Sequence, residues 1–309
     1  MPGLVGGYGN YLLPVQCGAP DMANKLKNKI KWFLKSDLSY EKNSIDSINK
    51  IGSYLAGLIE GDGYIFITKA DTIILGVTFN VKDKPLANKL LMFIGKGSIV
   101  NRKSKSIELR FSAFHSLKII INLVNGKFRT PKINQLYRLI DWLNKKHSLN
   151  INKLPLDDSN LLSNYWLSGF IDADGSFYIR YSVKQIICKF ALEQRMLYPK
   201  TQESYEKIIT KICETLKVKI AIRKRSDNKN NYYIIRVENQ NSIKLLIKYL
   251  NDYPLLSSKY LDFLDWNIAF NQIISKHHFT DEGKLIIYSA KNRMNDKRTY
   301  FNWDHLNFI

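Results

Sequence analysis

Cysteine is scarce in this chain. Cys17, Cys188 and Cys213 are the only three among 309 residues. They are widely spaced, odd in number and form no C-x-x-C, which argues against a disulfide framework and a cysteine-based zinc site and fits a reducing compartment. Histidine shows no metal pattern either: His115, His147, His277, His278 and His305 contain no H-E-x-x-H or other paired spacing, so each reads as an ordinary surface or core residue. Nowhere does an uncharged apolar run of 18 or more residues suit a membrane span. The apolar stretch 2–22 is interrupted by Gly3, Gly6, Gly7, Gly9, Pro14, Gly18 and Pro20, lacks the basic start of a signal peptide and has no arginine for a transit peptide. No stable membrane insertion is expected from it.

Acidic residues are also few. Asp and Glu number 27 against 47 Lys and Arg, a formal net charge of +20. Such an excess calls for a polyanionic partner, nucleic acid first and an anionic membrane surface second. With 45% hydrophobic and 12% aromatic residues, the chain folds rather than staying disordered. Its length suffices for two ordinary domains with a sizeable core.

What is present twice is more telling than what is missing. Tyr54-Leu-Ala-Gly-Leu-Ile-Glu-Gly-Asp-Gly-Tyr-Ile-Phe-Ile67 returns as Trp166-Leu-Ser-Gly-Phe-Ile-Asp-Ala-Asp-Gly-Ser-Phe-Tyr-Ile179. The separation is too long for a solenoid unit and suits a duplicated domain. The flanks repeat as well. Alternating strand-like segments (64–68 and 176–181) are followed by second strands ending in charged turns (77–83 and 190–195). A helical stretch comes next in each copy (85–94 and 204–216), then two basic β-rich segments (99–111 and 219–237). Helices end each half: 116–124 with 132–145, and 242–250 with 258–275. The expectation is an α+β fold of two pseudo-twofold αββαββα subdomains, each with a curved antiparallel sheet, packed through the two motif helices. The expected divisions are a leader at 1–23, a basic segment at 24–46, subdomains at 47–145 and 164–309, and a polar joint at 146–163. A last helix begins near Thr280 or Asp281, either of which can cap it.

Each motif reads as the end of a helix. Leu55, Leu58 and Ile59 share one face, as do Leu167, Phe170 and Ile171. Gly57 and Gly61, like Gly169 and Ala173, stand four apart, a spacing that lets two helices approach backbone to backbone. Asp62-Gly63 and Asp174-Gly175 then stop the helices, the glycine being expected to take a left-handed C-terminal cap. Both aspartates therefore lie at the negative ends of helix dipoles. If the helices pair, two carboxylates face each other, an arrangement that becomes favourable when hard cations bind between them. Main-chain oxygens of Gly61 and Ala173 are candidate additional ligands.

The runs Leu55–Gly63 (LAGLIEGDG) and Leu167–Gly175 (LSGFIDADG) resemble the signature of the LAGLIDADG homing endonucleases, in the single-chain form that carries two motifs and acts as a monomer. The resemblance implies that Asp62 and Asp174 coordinate catalytic Mg²⁺, two or three divalent ions at the interface of the motif helices, and activate water. It implies metal-assisted cleavage of one phosphodiester in each strand of a long, asymmetric double-stranded DNA target, promoting intron homing. Glu60 and Asp172 match the other acidic position, which in the family is not the principal metal ligand. Gln194 matches a polar residue that family members place near the scissile phosphate; the first half offers Asn80 or Val81 instead, which puts equal cutting of the two strands in question. Lys132 and Lys259 match the family's basic residues near the active site, with roles in positioning water or offsetting phosphate charge.

A curved sheet from each half fits the major groove, where base edges are distinguishable. Alternate residues of the first strands, Phe66, Thr68 and Ala70 and then Tyr178, Arg180 and Ser182, are expected to face DNA. Arg102, Lys103, Arg110, Arg223, Arg225 and Arg236 join them from the basic strands. The segment 3–22 resembles a stretch of cytochrome c oxidase subunit 1, as an intron reading frame fused to its upstream exon would. That implies an intron-encoded protein made in a mitochondrion. The alternative is an RNA-binding maturase assisting the splicing of its own intron, or, on the same scaffold, a DNA-binding regulator without catalysis.

Overall fold

In a computed structural model, residues 38–102, 105–182, 185–224 and 231–307 are described. Lys103, Arg225 and the segment 1–37, for which expectations were given above, lie outside them. The described residues from Lys50 onward belong to one compact unit, and residues 38–49, which fall outside it, are helical.

The order of elements repeats. The first half runs α1 (Leu38–Asp62), β1 (Gly63–Ile67), β2 (Ile73–Asn80), α2 (Lys84–Ile94), β3 (Ser98–Asn101), β4 (Ser106–Phe111), α3 (Phe114–Val124) and α4 (Ile133–His147). The second runs α5 (Trp166–Asp174), β5 (Gly175–Tyr181), β6 (Ile186–Arg195), α6 (Glu206–Leu216), β7 (Ile220–Lys224), β8 (Asn231–Val237), α7 (Gln240–Asp252) and α8 (Lys259–Ile274), with an extra α9 (Asp281–Asn292). Each half carries a four-stranded antiparallel sheet, ordered β1-β2-β4-β3 and β5-β6-β8-β7. This is the α+β duplication expected from the repeat.

Period-two burial divides the faces of each strand. On β2, Ile73, Leu75, Val77 and Phe79 are buried; on β5, Phe177 and Ile179 are buried while Ser176, Tyr178 and Arg180 are exposed. Helices cover the apolar face. Phe177, Phe190, Phe263 and Trp266 pack there, with Phe177 and Trp266 ring centroids 5.3 Å apart. Burying each such side chain stabilises the fold by roughly 1.5–3 kcal/mol. Ladder register also fixes which residues correspond between halves. Gly63 pairs with Val77 and Gly175 with Leu192, so Phe79 corresponds to Gln194 and Asn80 to Arg195.

Thr280 caps α9, its hydroxyl accepting the Gly283 amide at 3.1 Å. The chain after α9 returns to the second half: Arg298 pairs with Asp262 and Asp265, and Arg293 with Asp265. Residues 148–160 between the halves form no helix or strand, yet they are pinned. The Asp157 amide donates to Phe128 O, and Arg129 holds Asp157 and Ser159. Among the described residues, no helix is long and apolar enough to cross a membrane.

One local expectation is corrected. Gly63 and Gly175 do not take left-handed caps. Gly175 has φ −80° and ψ 155°, and among the described glycines only Gly95 and Gly126 have positive φ. The chain passes straight from helix into strand. Glycine is needed for room instead: a Cβ on Gly63 would lie 2.6 Å from Ile59 O, and one on Gly175 2.7 Å from Ile171 Cγ2.

Candidate active site and nucleic-acid interface

The site begins with two helices in backbone contact. A Cβ on Gly57 would lie 2.0 Å from Trp166 O, and one on Gly169 2.0 Å from Tyr54 O. Only hydrogen at these two positions allows α1 and α5 to meet so closely. Below this crossing, a Cβ on Gly61 would collide with Ala173 Cβ and come within 3.2 Å of Asp174 Oδ2. The Asp174 carboxylate thus sits against the end of the other half's helix, beside Asp62.

The two acidic positions of each motif have separate environments. Glu60 is fully buried and accepts the Arg129 and Thr130 amides and the Trp166 indole N–H, the last at 2.6 Å. Asp172 accepts the Tyr54 hydroxyl at 2.7 Å, the Leu256 and Ser257 amides and the Ser257 hydroxyl. Both carboxylates are consumed in holding the loops that precede Lys132 and Lys259. Burial pushes Glu60 up to about 7 against those hydrogen bonds.

Asp62 and Asp174 make no such bonds, and Asp62 opens onto a cleft of about 230 Å³ lined also by Asn80, Asp83, Ala173 and Lys259 among others. Desolvation and the neighbouring Asp174 carboxylate raise Asp62 to about 7 against the Lys259 and Lys132 charges; desolvation raises Asp174 to about 6 against the same two ammonium groups. Two adjacent carboxylates that resist ionising together favour a cation between them.

Lys132 Nζ donates to Ile59 O, Gly61 O and Gly63 O at 2.9–3.0 Å. Lys259 Nζ donates to Ile171 O and Ala173 O at 3.3 and 2.9 Å. Each ammonium caps the C-terminal end of a motif helix, where the dipole favours positive charge. The main-chain oxygens of Gly61 and Ala173 already accept from these lysines. Burial lowers Lys132 to about 8 and Lys259 in the same direction.

No group of three or more His, Cys, Asp or Glu side chains suited to a metal ion occurs among the described residues. Asp62 and Asp174 supply two carboxylates, the number with which Mg²⁺ is commonly held when water and substrate phosphate complete its shell. The donor set therefore fits a hard cation bound together with a phosphodiester.

The sheet faces turned away from the helices carry most of the residues expected to meet DNA. Phe66 and Tyr178 are 53% and 52% exposed. Arg180 and Arg236 are exposed on the same face of their sheet. Arg223 is exposed and bonded to Glu193 at 3.1 Å. Arg102 and Arg110 both clasp Glu108, which also accepts the Tyr64 hydroxyl. β1 and β5 end at Ile67 and Tyr181, so Thr68, Ala70 and Ser182 stand in turns rather than on strands. Thr68 and Ser182 use their hydroxyls to close those turns. Gln194 lies at the end of β6, partly buried, and its counterpart by register is the buried Phe79 rather than Asn80 or Val81.

Sequence reasoning did not single out three residues that shape this site. Asp83 lines the cleft and is bonded to the Ser258 amide. Arg129 lies with its guanidinium 5.5 Å from the Trp166 ring centre. His305 Nε2 lies 3.1 Å from Leu256 O. None stands in a repeated motif, and their partners are distant in sequence.

The profile of the LAGLIDADG endonuclease family matches residues 55–143 and 167–270, spanning both motif helices and both sheets. The chain belongs to the LAGLIDADG endonuclease family. Intron-encoded DNA endonuclease aI3 of Saccharomyces cerevisiae is 31% identical over 352 aligned residues, covering 99% of this chain and 81% of that protein. An uncharacterised cox1 intron-2 protein of Schizosaccharomyces pombe is 35% identical, covering 76% and 70%. Intron-encoded RNA maturase bI4 of S. cerevisiae is 35% identical over 45% of this chain and 21% of its own length. Among solved structures, the LAGLIDADG homing endonuclease I-SmaMI bound to cleaved DNA has a TM-score of 0.61 at 22% identity, covering 80% of this chain and 97% of that one. I-SmaMI bound to uncleaved DNA with calcium ions has a TM-score of 0.58 at 22% identity, covering 79% and 98%. At that identity the likeness to this LAGLIDADG chain concerns the fold.

Proposed function

We propose that this LAGLIDADG protein is a monomeric, Mg²⁺-dependent, site-specific DNA endonuclease that promotes homing of the intron encoding it. Its proposed gene context is a mitochondrial cytochrome c oxidase subunit 1 intron, and its proposed compartment the mitochondrion. Segments 1–23 and 24–46 are an exon-derived leader and a basic tether; 47–145 and 164–309 are the two DNA-reading subdomains, joined by 146–163. The observation that carries the reading is the juxtaposition of Asp62 and Asp174 at the foot of the crossed motif helices. The basic sheet faces and the relatives named as intron-encoded DNA endonucleases support it.

In this reading Asp62 and Asp174 hold divalent ions, which supply Lewis-acid stabilisation of the phosphodiester and acidify a water nucleophile. Gly61 and Ala173 would add main-chain oxygens to that set, oxygens that also accept from Lys132 and Lys259. The two ammonium groups offset phosphate charge and fix the ends of the motif helices. Gln194 orients water at one strand. Phe66, Thr68, Ala70, Tyr178, Arg180, Ser182, Arg102, Lys103, Arg110, Arg223, Arg225 and Arg236 contact the DNA, some at base edges and others at phosphates.

The test is incubation of the purified full chain with DNA spanning the intronless exon junction, in Mg²⁺, in Ca²⁺ and in EDTA. A double-strand break at one position in Mg²⁺ alone is expected. Intact DNA across a tiled library of the host genome would refute the reading. The resemblance to RNA maturase bI4 motivates a second reading, assistance of intron splicing. Splicing of the precursor RNA with and without the protein tests that separately.

A further inference from the structure

Asp83 bridges the two halves at one of the two lysine loops and not at the other. Its carboxylate, buried just after β2 of the first half, accepts the Ser258 amide of the second half at 2.6 Å. Ser258 directly precedes Lys259. The same loop is held from within its own half by Asp172, through the Leu256 and Ser257 amides. Glu60 does the same for the first half through the Arg129 and Thr130 amides. This correspondence aligns Arg129 with Leu256, Thr130 with Ser257, and Lys132 with Lys259. Pro131 therefore stands where the second half has Ser258. Proline has no amide hydrogen, so the first lysine loop offers no donor for an equivalent bridge.

The segment after the second strand of the other half is built differently as well. Where Asp83 runs directly into α2, residues 196–205 form a longer excursion before α6. That excursion reaches the first half through Lys200, which donates to Ile65 O at 3.4 Å, and Glu203, which accepts from Asn134. Neither is hydrogen-bonded to Lys132, whose ammonium holds Ile59 O, Gly61 O and Gly63 O. Asp83, by contrast, lines the same cleft as Asp62, Asn80 and Lys259.

We infer that Asp83 is a positioning residue that locks the Lys259 loop to the opposite half, so that the two strand-cutting centres are unequally braced. The inference rests on the nuclease reading, but the lock itself is a property of the folded chain. A carboxylate accepting a buried amide is a charge-assisted bond, worth about tenfold or more in the process it supports.

Three variants test it: Asp83→Ala, Asp83→Asn, which keeps an acceptor oxygen, and Ser258→Pro, which removes the donor. Ser258 has φ −56°, compatible with proline. Rates are read on cognate DNA with each strand labelled separately. Asp83→Ala and Ser258→Pro are expected to slow one strand's cut by about tenfold relative to the other, accumulating nicked DNA at unchanged DNA affinity. Asp83→Asn should stay within about threefold of the parent, and the double variant Asp83→Ala/Ser258→Pro should be no slower than either single one. Amide exchange of residues 256–259 provides a readout that needs no cleavage: it should quicken in Asp83→Ala and not in Asp83→Asn. Unchanged strand ratios, multiplicative effects in the double variant, or exchange unaltered by Asp83→Ala would each overturn the inference. A parent protein that cuts no DNA while exchange responds as expected would sink the nuclease reading alone.

Discussion

Tyr54 and Trp166 occupy the same position of the two motifs, and each donates a hydrogen bond to the buried carboxylate of the other: Tyr54 to Asp172 at 2.7 Å, Trp166 to Glu60 at 2.6 Å. Through this exchange each motif helix also secures the loop behind its partner, because Glu60 and Asp172 hold the amides leading to Lys132 and Lys259. Changing either carboxylate should therefore unsettle both halves. Glu60→Ala leaves the Arg129 and Thr130 amides and the Trp166 indole without an acceptor. A buried donor so stranded costs about 1–3 kcal/mol, and a loss of roughly 3 kcal/mol overall is expected in urea unfolding. An unchanged midpoint would show that water or another side chain replaces the carboxylate.

The glycine crossing sets a second limit. Gly57→Ala or Gly169→Ala puts a methyl 2.0 Å from a main-chain oxygen that cannot move without bending its helix. Overpacking of this kind costs about 1–3 kcal/mol and sometimes more. The upper end is expected here, with DNA cleavage falling further than stability because Asp62 and Asp174 separate. Thermal melting together with cleavage rates checks this; a variant with parental values for both would mean that the helices do not need this closeness.

How much of this was legible in the sequence depends on what each residue's partner is. The duplicated motif declared the paired helices, and the glycine spacing declared the face on which they meet. Matching flanks gave the two antiparallel sheets and the corresponding lysines. Local chemistry was less legible. Asp-Gly suggested a left-handed cap, whereas the chain enters a strand directly and glycine serves for space at Ile59 and Ile171. Alternation was extended past Ile67 and Tyr181 because Thr and Ser also suit strands, but their hydroxyls close turns instead. Asp83 could not be singled out at all, since its partner Ser258 lies 175 positions away and only the tertiary fold brings them together.

The pH dependence of the metal-free protein follows from the paired carboxylates. Asp62 and Asp174 stand at about 7 and about 6 in the folded chain, above the 3.8 of the unfolded one. Glu60, also at about 7, acts in the same sense. Between those limits the folded state binds more protons, so stability is fully present below about pH 4 from these groups and is lost as pH rises toward 8. Urea midpoints measured without divalent ions from pH 5 to 8 should fall, and Mg²⁺ should restore them most at pH 8. Asp62→Asn should flatten the curve. Midpoints rising across that range would contradict the assignment.

DNA affinity should be governed by the exposed sheet faces. Arg180→Ala and Arg236→Ala are each expected to weaken binding by about tenfold, within the 1–3 kcal/mol typical of a good base or phosphate contact. Lys244→Ala, on α7, should leave it unchanged. Competition binding over a range of salt concentrations separates the roles: loss of a phosphate contact reduces the salt slope, loss of a base contact does not. Equal effects of all three substitutions would mean that net charge alone drives binding.

The most direct measurement compares the parent with Asp62→Asn and Asp174→Asn on one cognate DNA, reading binding and strand cleavage in the same tubes with Mg²⁺. Removal of either carboxylate should leave binding within a few-fold and reduce double-strand cleavage by about a thousandfold or more, because both strands depend on the shared cations. A single-aspartate variant that still breaks both strands at the parental rate would contradict the central claim.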